Sequence, residues 1–484
     1  MQLALGTPQS FGIAEDIYMN GANSKSVATV TLSSPLSGPL NAKTEVSGKT
    51  EDGTEVTGTL FGDFPMGTSQ IKVQYDTIGI QSNYVGCRVG SNPEPVLRGC
   101  LASSGELTIG SQTFAYTYDA LSDNGNERTL QGFSTSAEEK MARCVNCPYA
   151  TFEKFYQYYG QFDYANQWVM SAFDGRSTTF SNGNADFSGY TEVGRAEAIK
   201  KGTAYMSVWM YVIREMEDAL DDCKSECDID TCNDDPVHAW DEAVAFYTGS
   251  LEGTDGSGTG VMLHQLADMR CSNFKTCGDL ANEASGTSHV NLRILAQFIE
   301  GKRKLLAGKC DAVRANKERI EQLMAVPLVQ GTLRYAYITD FEKDAGEKAE
   351  AEGAVFAASV LPLVSACDEE AADTIYQSMR TGQDGSADLV AVKRAFESVY
   401  ECMNIRCEEV GGLHDTVSGG YLPQAEPCGF GRPKNTKKVG LAVGLSFVGV
   451  ASIAVIYFLF LRYCGMHTDM TASSNIPGGE KVVA

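Results

Sequence analysis

From Val439 to Leu461 the chain runs 23 residues without a charge, enough to cross the ~30 Å hydrocarbon layer of a membrane as one helix. A core helix of that length would carry a polar stripe. Arg462 bounds the run on one side, and Arg432, Lys434, Lys437 and Lys438 bound it on the other. Gly440 and Gly444 form a small-xxx-small pair of the kind that lets membrane helices approach one another. The run divides the chain into a large N-terminal part, one anchor and a short tail.

The side of the membrane is set by two opposing signals. Basic residues ahead of the run favour a cytoplasmic N-terminal part. Against that, fourteen of the 15 cysteines precede the run, an even number that suits a disulfide framework in an oxidising compartment. Long domains translocate largely regardless of flanking charge, so the cysteines decide. The expected location is the plasma membrane, single-pass, with the N-terminal domains extracellular. Residues 1–8 show neither a basic n-region nor an adequate apolar run, so no signal peptide is evident at Met1. With 39 basic against 62 acidic side chains and a net charge of -23, the chain lacks the basic face a nucleic-acid binder needs.

The expected fold class is α+β multidomain. Residues 1–135 read as a β-rich domain: Val27–Leu32, Thr54–Leu60, Ile71–Tyr75 and Thr113–Tyr118 alternate or are β-branched, with turn residues between them. Such spacing suggests a small sandwich or barrel. Cys87 and Cys100 bracket a loop and are expected to staple it; Cys271 and Cys277 are also taken as disulfide cysteines. Residues 136–412 read as a helical bundle, with long runs over 194–223, 351–367 and 387–407 and a helix capped by Ser288 through about Ala307. A juxtamembrane linker over 413–438, the span over 439–461 and a cytoplasmic tail over 462–484 complete the chain.

A faint internal repeat runs through the helical part. Tyr158 to Asp163 lines up with Tyr335 to Asp340, and Lys201-Gly-Thr-Ala-Tyr205 with Glu352-Gly-Ala-Val-Phe356. Two diverged helical units would follow; chance likeness between two amphipathic segments is the competing reading.

The stretch from Cys232 to Ser250 carries the most chemistry. Asp235 suits an N-cap, Pro236 a first helical position and Gly249 a C-terminal stop. On that helix His238, Asp241 and Glu242 fall on one face, and imidazole plus carboxylate at this spacing can hold one cation. The plain alternative is a capped helix whose polar face meets water. Arg195, Arg270, Arg293 and Arg334 could each bind an anion or form a surface ion pair. Cys144 and Cys147 have redox-motif spacing without a βαβ setting, which favours structural disulfides. No phosphate-loop, nucleophile-elbow, zinc-protease or dinucleotide motif occurs. The chain is expected to bind rather than catalyse.

Residues 238–253, followed by Leu266 to Gly278, resemble the algal low-iron-inducible periplasmic proteins, and the overall layout is similar to the membrane-anchored phytotransferrins. The likeness covers roughly residues 140–410. It implies cell-surface capture of ferric iron, Fe(III), with carbonate as synergistic anion, followed by endocytosis. By analogy with transferrin's ligand chemistry, the metal set would be His238, Asp241, Glu242, Tyr247 and one of Tyr158 or Tyr335, with Arg334 holding the anion. The fold implied is a paired helical bundle rather than a transferrin lobe. In the tail, Tyr463 to Met466 has the form of a sorting signal for an endocytic adaptor, although it abuts the span. The competing functions are an extracellular adhesion or cell-wall interaction protein with no metal site, and an oxidoreductase built on Cys144 and Cys147.

Overall fold

In the computed structural model the described residues lie between Met1 and Gly429, excepting 2–4, 6–10, 21–26, 76–87, 92–94, 99, 121–123, 126–128, 225–235, 250–259, 343–344 and 383–386. The charge-free run of 439–461, the tail, Asp235 and Cys87 fall outside them. Among the described residues no helix is long and apolar enough to cross a membrane.

The chain opens with helix α1 (Phe11–Asn20) and then enters β-structure. Strands β1 (Val27–Leu32), β2 (Glu45–Lys49), β3 (Glu55–Leu60), β4 (Gln70–Tyr75), β5 (Arg88–Ser91), β6 (Pro95–Arg98), β7 (Ser104–Ile109), β8 (Gln112–Thr117) and β9 (Asn124–Gly125) follow. β5 and β6 make a separate hairpin. The order β4-β3-β2-β7-β8-β1 closes on itself through the antiparallel β1–β4 pairing, Val27 opposite Gln74 through Thr31 opposite Gln70. The result is a six-stranded barrel, and closure removes the exposed edges an open sheet would present. Val30, Leu32, Val46, Leu60, Ile71, Val73, Leu107 and Ile109 fill it. Gly48 is required there: a Cβ would sit 2.6 Å from a Leu101 methyl and 2.8 Å from one of Leu107.

The helical body comprises α2 (Gly132–Thr135), α3 (Ala150–Tyr159), α4 (Tyr164–Asp174), α5 (Glu192–Gly202), α6 (Trp209–Lys224), α7 (Pro236–Thr248), α8 (Leu263–Phe274), α9 (His289–Leu306), α10 (Cys310–Phe341), α11 (Gly346–Ser365), α12 (Glu369–Met379), α13 (Leu389–Val399) and α14 (Cys407–Val410). α10 is the spine, with Leu323 to Leu333 buried throughout, and α6, α8, α9, α11 and α13 pack against it. The Ser288 hydroxyl accepts from the Val290 N–H at the start of α9, where the sequence predicts a cap.

Three features depart from the sequence reading. α1 is not part of the β-rich region: Ala14 and Tyr18 are buried in the helical core, Phe11 meets Phe173 edge-on, and Tyr18 donates to Asn166 Oδ1. The barrel is therefore inserted between α1 and the rest of the helical body. The helix expected over 387–407 stops at Val399, where the chain turns through Asn404 in a left-handed conformation (φ 52°) and Cys402 bonds to Cys367. Finally, the run over 194–223 is interrupted by a wider π turn, Thr203–Val208, between α5 and α6. One extra residue in a turn re-aims the side chains beyond it, and such turns concentrate at functional sites.

Among the described residues the cysteines pair as disulfides. Cys144 bonds to Cys147, Cys223 to Cys310, Cys271 to Cys277, Cys367 to Cys402 and Cys407 to Cys428. Cys100 is also disulfide-bonded.

Candidate functional site

Helix α7 begins at Pro236 and stops at Thr248, with Gly249 in the left-handed region (φ 59°). As its spacing predicts, His238 and Glu242 share a face, Nε2 to Oε1 at 3.3 Å, with the imidazole exposed. Asp241 instead takes Lys302 Nζ of α9 at 2.6 Å. Tyr247 points inward: its hydroxyl donates to Asn291 Oδ1, and its ring packs against His264 and Phe298. Asn291 in turn donates to Asp268 and to the His264 carbonyl, so this phenol is already engaged in a buried network. Tyr158 lies at the end of α3 against Tyr159 and Gly183. The expected ligand set is thus spread over separate neighbourhoods, apart from His238 with Glu242. Among the described residues no group of three His, Cys, Asp or Glu side chains is placed to hold one ion.

Tyr335 and Arg334, on α10, sit in a different setting. The Tyr335 ring stacks on Phe356 of α11, centroids 5.8 Å apart at 14°, and Tyr205 from the π turn stacks on the same ring at 5.2 Å and 19°. The Arg334 guanidinium lies 5.0 Å over Tyr335. The guanidinium of Arg270, from α8, lies 5.9 Å from the Phe356 centroid. One turn back along α11, Glu352 takes Lys201 of α5 at 3.0 Å, and Lys201 also holds Glu197 at 2.5 Å. Gly331 lets α10 approach, since a Cβ there would stand 2.5 Å from the Phe356 ring.

The charges in this cluster do not balance. Arg270 is 7% exposed, and its Nε and Nη1 find no hydrogen-bond partner. Among the described residues neither Arg270 nor Arg334 forms an ion pair with a carboxylate. Burial, then the Arg334 charge, push the Arg270 guanidinium down to about 10. Burial raises the Tyr205 phenol, while Lys201 and Arg270 pull it back. Burial raises Glu352 against the opposing pull of Lys201. Glu197, despite its burial, is held down to about 2 by Lys201, Lys200 and Lys348. Lys317 gives the contrast: equally buried, it lies between Glu217 and Glu321 and is fully paired. Arg195 is likewise spent, donating to the Ala172 and Phe173 carbonyls, and Arg293 is exposed.

Sequence reasoning reached Arg334, Tyr335 and the candidacy of Arg270, but not Tyr205, Glu352 or Lys201 as members of one cluster. The signal was present in the repeat: Lys201 aligns with Glu352 and Tyr205 with Phe356, and the aligned pairs meet where α5 and the π turn pack on α11.

A model of the low iron-inducible periplasmic protein family matches residues 136–420, which begin beyond the barrel and take in the whole cluster. No curated protein and no solved structure matches the chain. The family match spans more than half of the chain, and the protein therefore belongs to the low iron-inducible periplasmic protein family.

Proposed function

We propose that the protein captures ferric iron at the cell surface for uptake, with carbonate as synergistic anion, and is held there by the 439–461 run as a single membrane anchor. Membership of a low-iron-induced periplasmic family supports an iron-linked, extracytoplasmic role. The observation that carries the reading further is the buried Arg270 guanidinium, its Nε and Nη1 without a partner, against the Phe356 ring on which Tyr205 and Tyr335 stack, one helical turn from Glu352. Phenolate and carboxylate are hard donors suited to Fe(III), and a free guanidinium suits an oxyanion. Tyr205, Tyr335 and Glu352 are the donors we place first; His238, Asp241, Glu242 and Tyr247 form the second set, with Tyr158 beside it. The function is binding, not turnover. Endocytic internalisation through the tail would carry the loaded protein into an acidified vesicle. Protonation of carbonate and of Glu352, whose proton affinity burial already raises, would then release the metal.

Ferric titration of the full-length protein at mildly alkaline pH, with and without bicarbonate, tests this through the phenolate-to-iron charge-transfer band. The expected result is a bicarbonate-dependent band lost in Tyr205→Phe or Tyr335→Phe and retained in Tyr247→Phe and His238→Ala. Loss only in the latter pair would move the site to α7. No band and no binding would remove the iron reading and favour adhesion through the barrel.

A further inference from the structure

Helix α9 is apolar on two faces. Ile294, Phe298 and Leu305 enter the core, where Phe298 meets Trp240 and Tyr247 of α7. On the adjoining side Asn316 of α10 holds Lys304 and Gln297. At ~100° per residue, Ile299 stands about 140° round the helix from Ile294, and it is 72% exposed. It belongs to a second stripe, Leu292, Leu295, Ala296, Ile299 and Leu306, whose three-and-four spacing is that of a buried helix face. Yet Leu306 is 71% exposed, Ala296 is exposed, and Leu292 and Leu295 are only partly buried. Single exposed leucines are ordinary, but a ridge of them along one helix marks a contact surface.

The pattern of the ridge specifies what covers it. Its apolar positions are symmetric about Ile299, with Leu292 seven residues before and Leu306 seven residues after. Such a ridge is its own complement when a copy is laid antiparallel, as two-fold contacts require. Ile299 then meets Ile299 on the axis and Leu292 meets Leu306 on either side. The aliphatic stems of Lys302 and Arg303 lie over Leu295 and Ala296 of the other copy. The charges along the border agree. Arg293 and Glu300 lie on the same side of the ridge, two turns apart. Arg293 is exposed and has no ion pair among the described residues, while Glu300 reaches Arg303 and Lys304 from the surface. Antiparallel pairing brings Arg293 of each copy alongside Glu300 of the other, so opposite charges face each other on that flank. On the opposite flank Lys302 is held by Asp241 of its own chain.

We propose that α9 is the contact surface for a second copy of this chain, paired antiparallel across a two-fold axis at Ile299. A contact confined to one 18-residue helix, ~27 Å long, is at the small end of specific interfaces, so the dimer forms reversibly. No donor of the iron reading lies on α9, and the dimer stands or falls independently of the metal.

Mild oxidation of the full-length protein in phosphatidylcholine membranes tests the pairing, with Cys464→Ser removing the one cysteine beyond the 439–461 run. Ile299→Cys is expected to give a disulfide-linked dimer on a non-reducing gel, because this position meets its own copy. Leu306→Cys alone should not, since its two copies stand about 21 Å apart along the helix axes. Leu292→Cys and Leu306→Cys in one chain should link again. Val417→Cys, 95% exposed and away from α9, measures chance collision. Without cross-linking, sedimentation of the detergent-solubilised protein should show a concentration-dependent dimer. Ile299→Asp should weaken it roughly tenfold or more with the unfolding midpoint unchanged. Arg293→Glu should also weaken it, and adding Glu300→Arg should restore it. No linked dimer at Ile299→Cys, a yield no higher than at Val417→Cys, equal linking at Leu306→Cys alone, or a dimer indifferent to Ile299→Asp would overturn the proposal. The ferric band is expected to be the same in all these variants.

Discussion

At the scale of single residues, the protein holds two kinds of buried charge. Lys201 and Lys317 are each clamped by two carboxylates; Arg270 has none. A buried charge outside any ion pair costs stability. Arg270→Met fills similar volume without the charge and is expected to stabilise the metal-free protein by about 1–3 kcal/mol. Calorimetry would register this as a midpoint several degrees higher, together with loss of the bicarbonate response. Glu197 behaves oppositely. Its folded-state pKa is depressed to about 2, so its contribution is fully present above the ordinary carboxylate range and is lost as pH falls towards 2. Glu197→Gln should therefore cost on the order of 3 kcal/mol at neutral pH. Urea titrations of the two proteins should converge as the solution is made strongly acid.

At the scale of elements, the site depends on three helices meeting around Phe356, and the closeness of α10 and α11 rests on Gly331. Gly331→Ala would drive a methyl into the Phe356 ring and is expected to cost about 1–3 kcal/mol. It should also weaken bicarbonate, because the ring under Arg270 must shift; a variant destabilised yet binding normally would separate the ring from the site. Much of this architecture was legible beforehand. Strand periodicity at Val27–Leu32 and Ile71–Tyr75, the Ser288 cap and the Pro236–Gly249 helix all follow from local chemistry that tertiary contacts do not override. The π turn was not legible, since Thr203 to Val208 has the composition of an ordinary buried helix and only packing shows the extra residue. The direction of Tyr247 was hidden for a related reason. Nine positions along the helix from His238, Tyr247 falls on the opposite side by helical count, but only the fold reveals that this side is the core, where Asn291 waits. Arg270 was visible as an arginine and nothing more, because burial and missing partners are properties of the assembled bundle.

At the scale of the whole molecule, distant segments are tied covalently as well as by packing. Cys223–Cys310 joins the end of α6 to the start of α10 across 87 residues, a closure worth about 4–5 kcal/mol in chain entropy. Replacing both cysteines by Ala should lower the unfolding free energy from denaturant titration by that amount without altering the barrel, measurable by the fluorescence of Trp209, which donates to the Met324 carbonyl of α10. The placement of α1 has another outcome, one concerning synthesis. Tyr18 of α1 has its partner Asn166 148 residues later in the chain, and translation at ~5–20 residues per second separates the two by many seconds. During that interval the barrel, whose strands pair within residues 27–125, can close on its own. Tyr18 and Phe11 must wait, unpaired, for α4 to emerge. The nascent chain therefore presents a finished barrel trailing an unsatisfied apolar helix, a signature that a chaperone able to hold one short N-terminal segment is suited to meet.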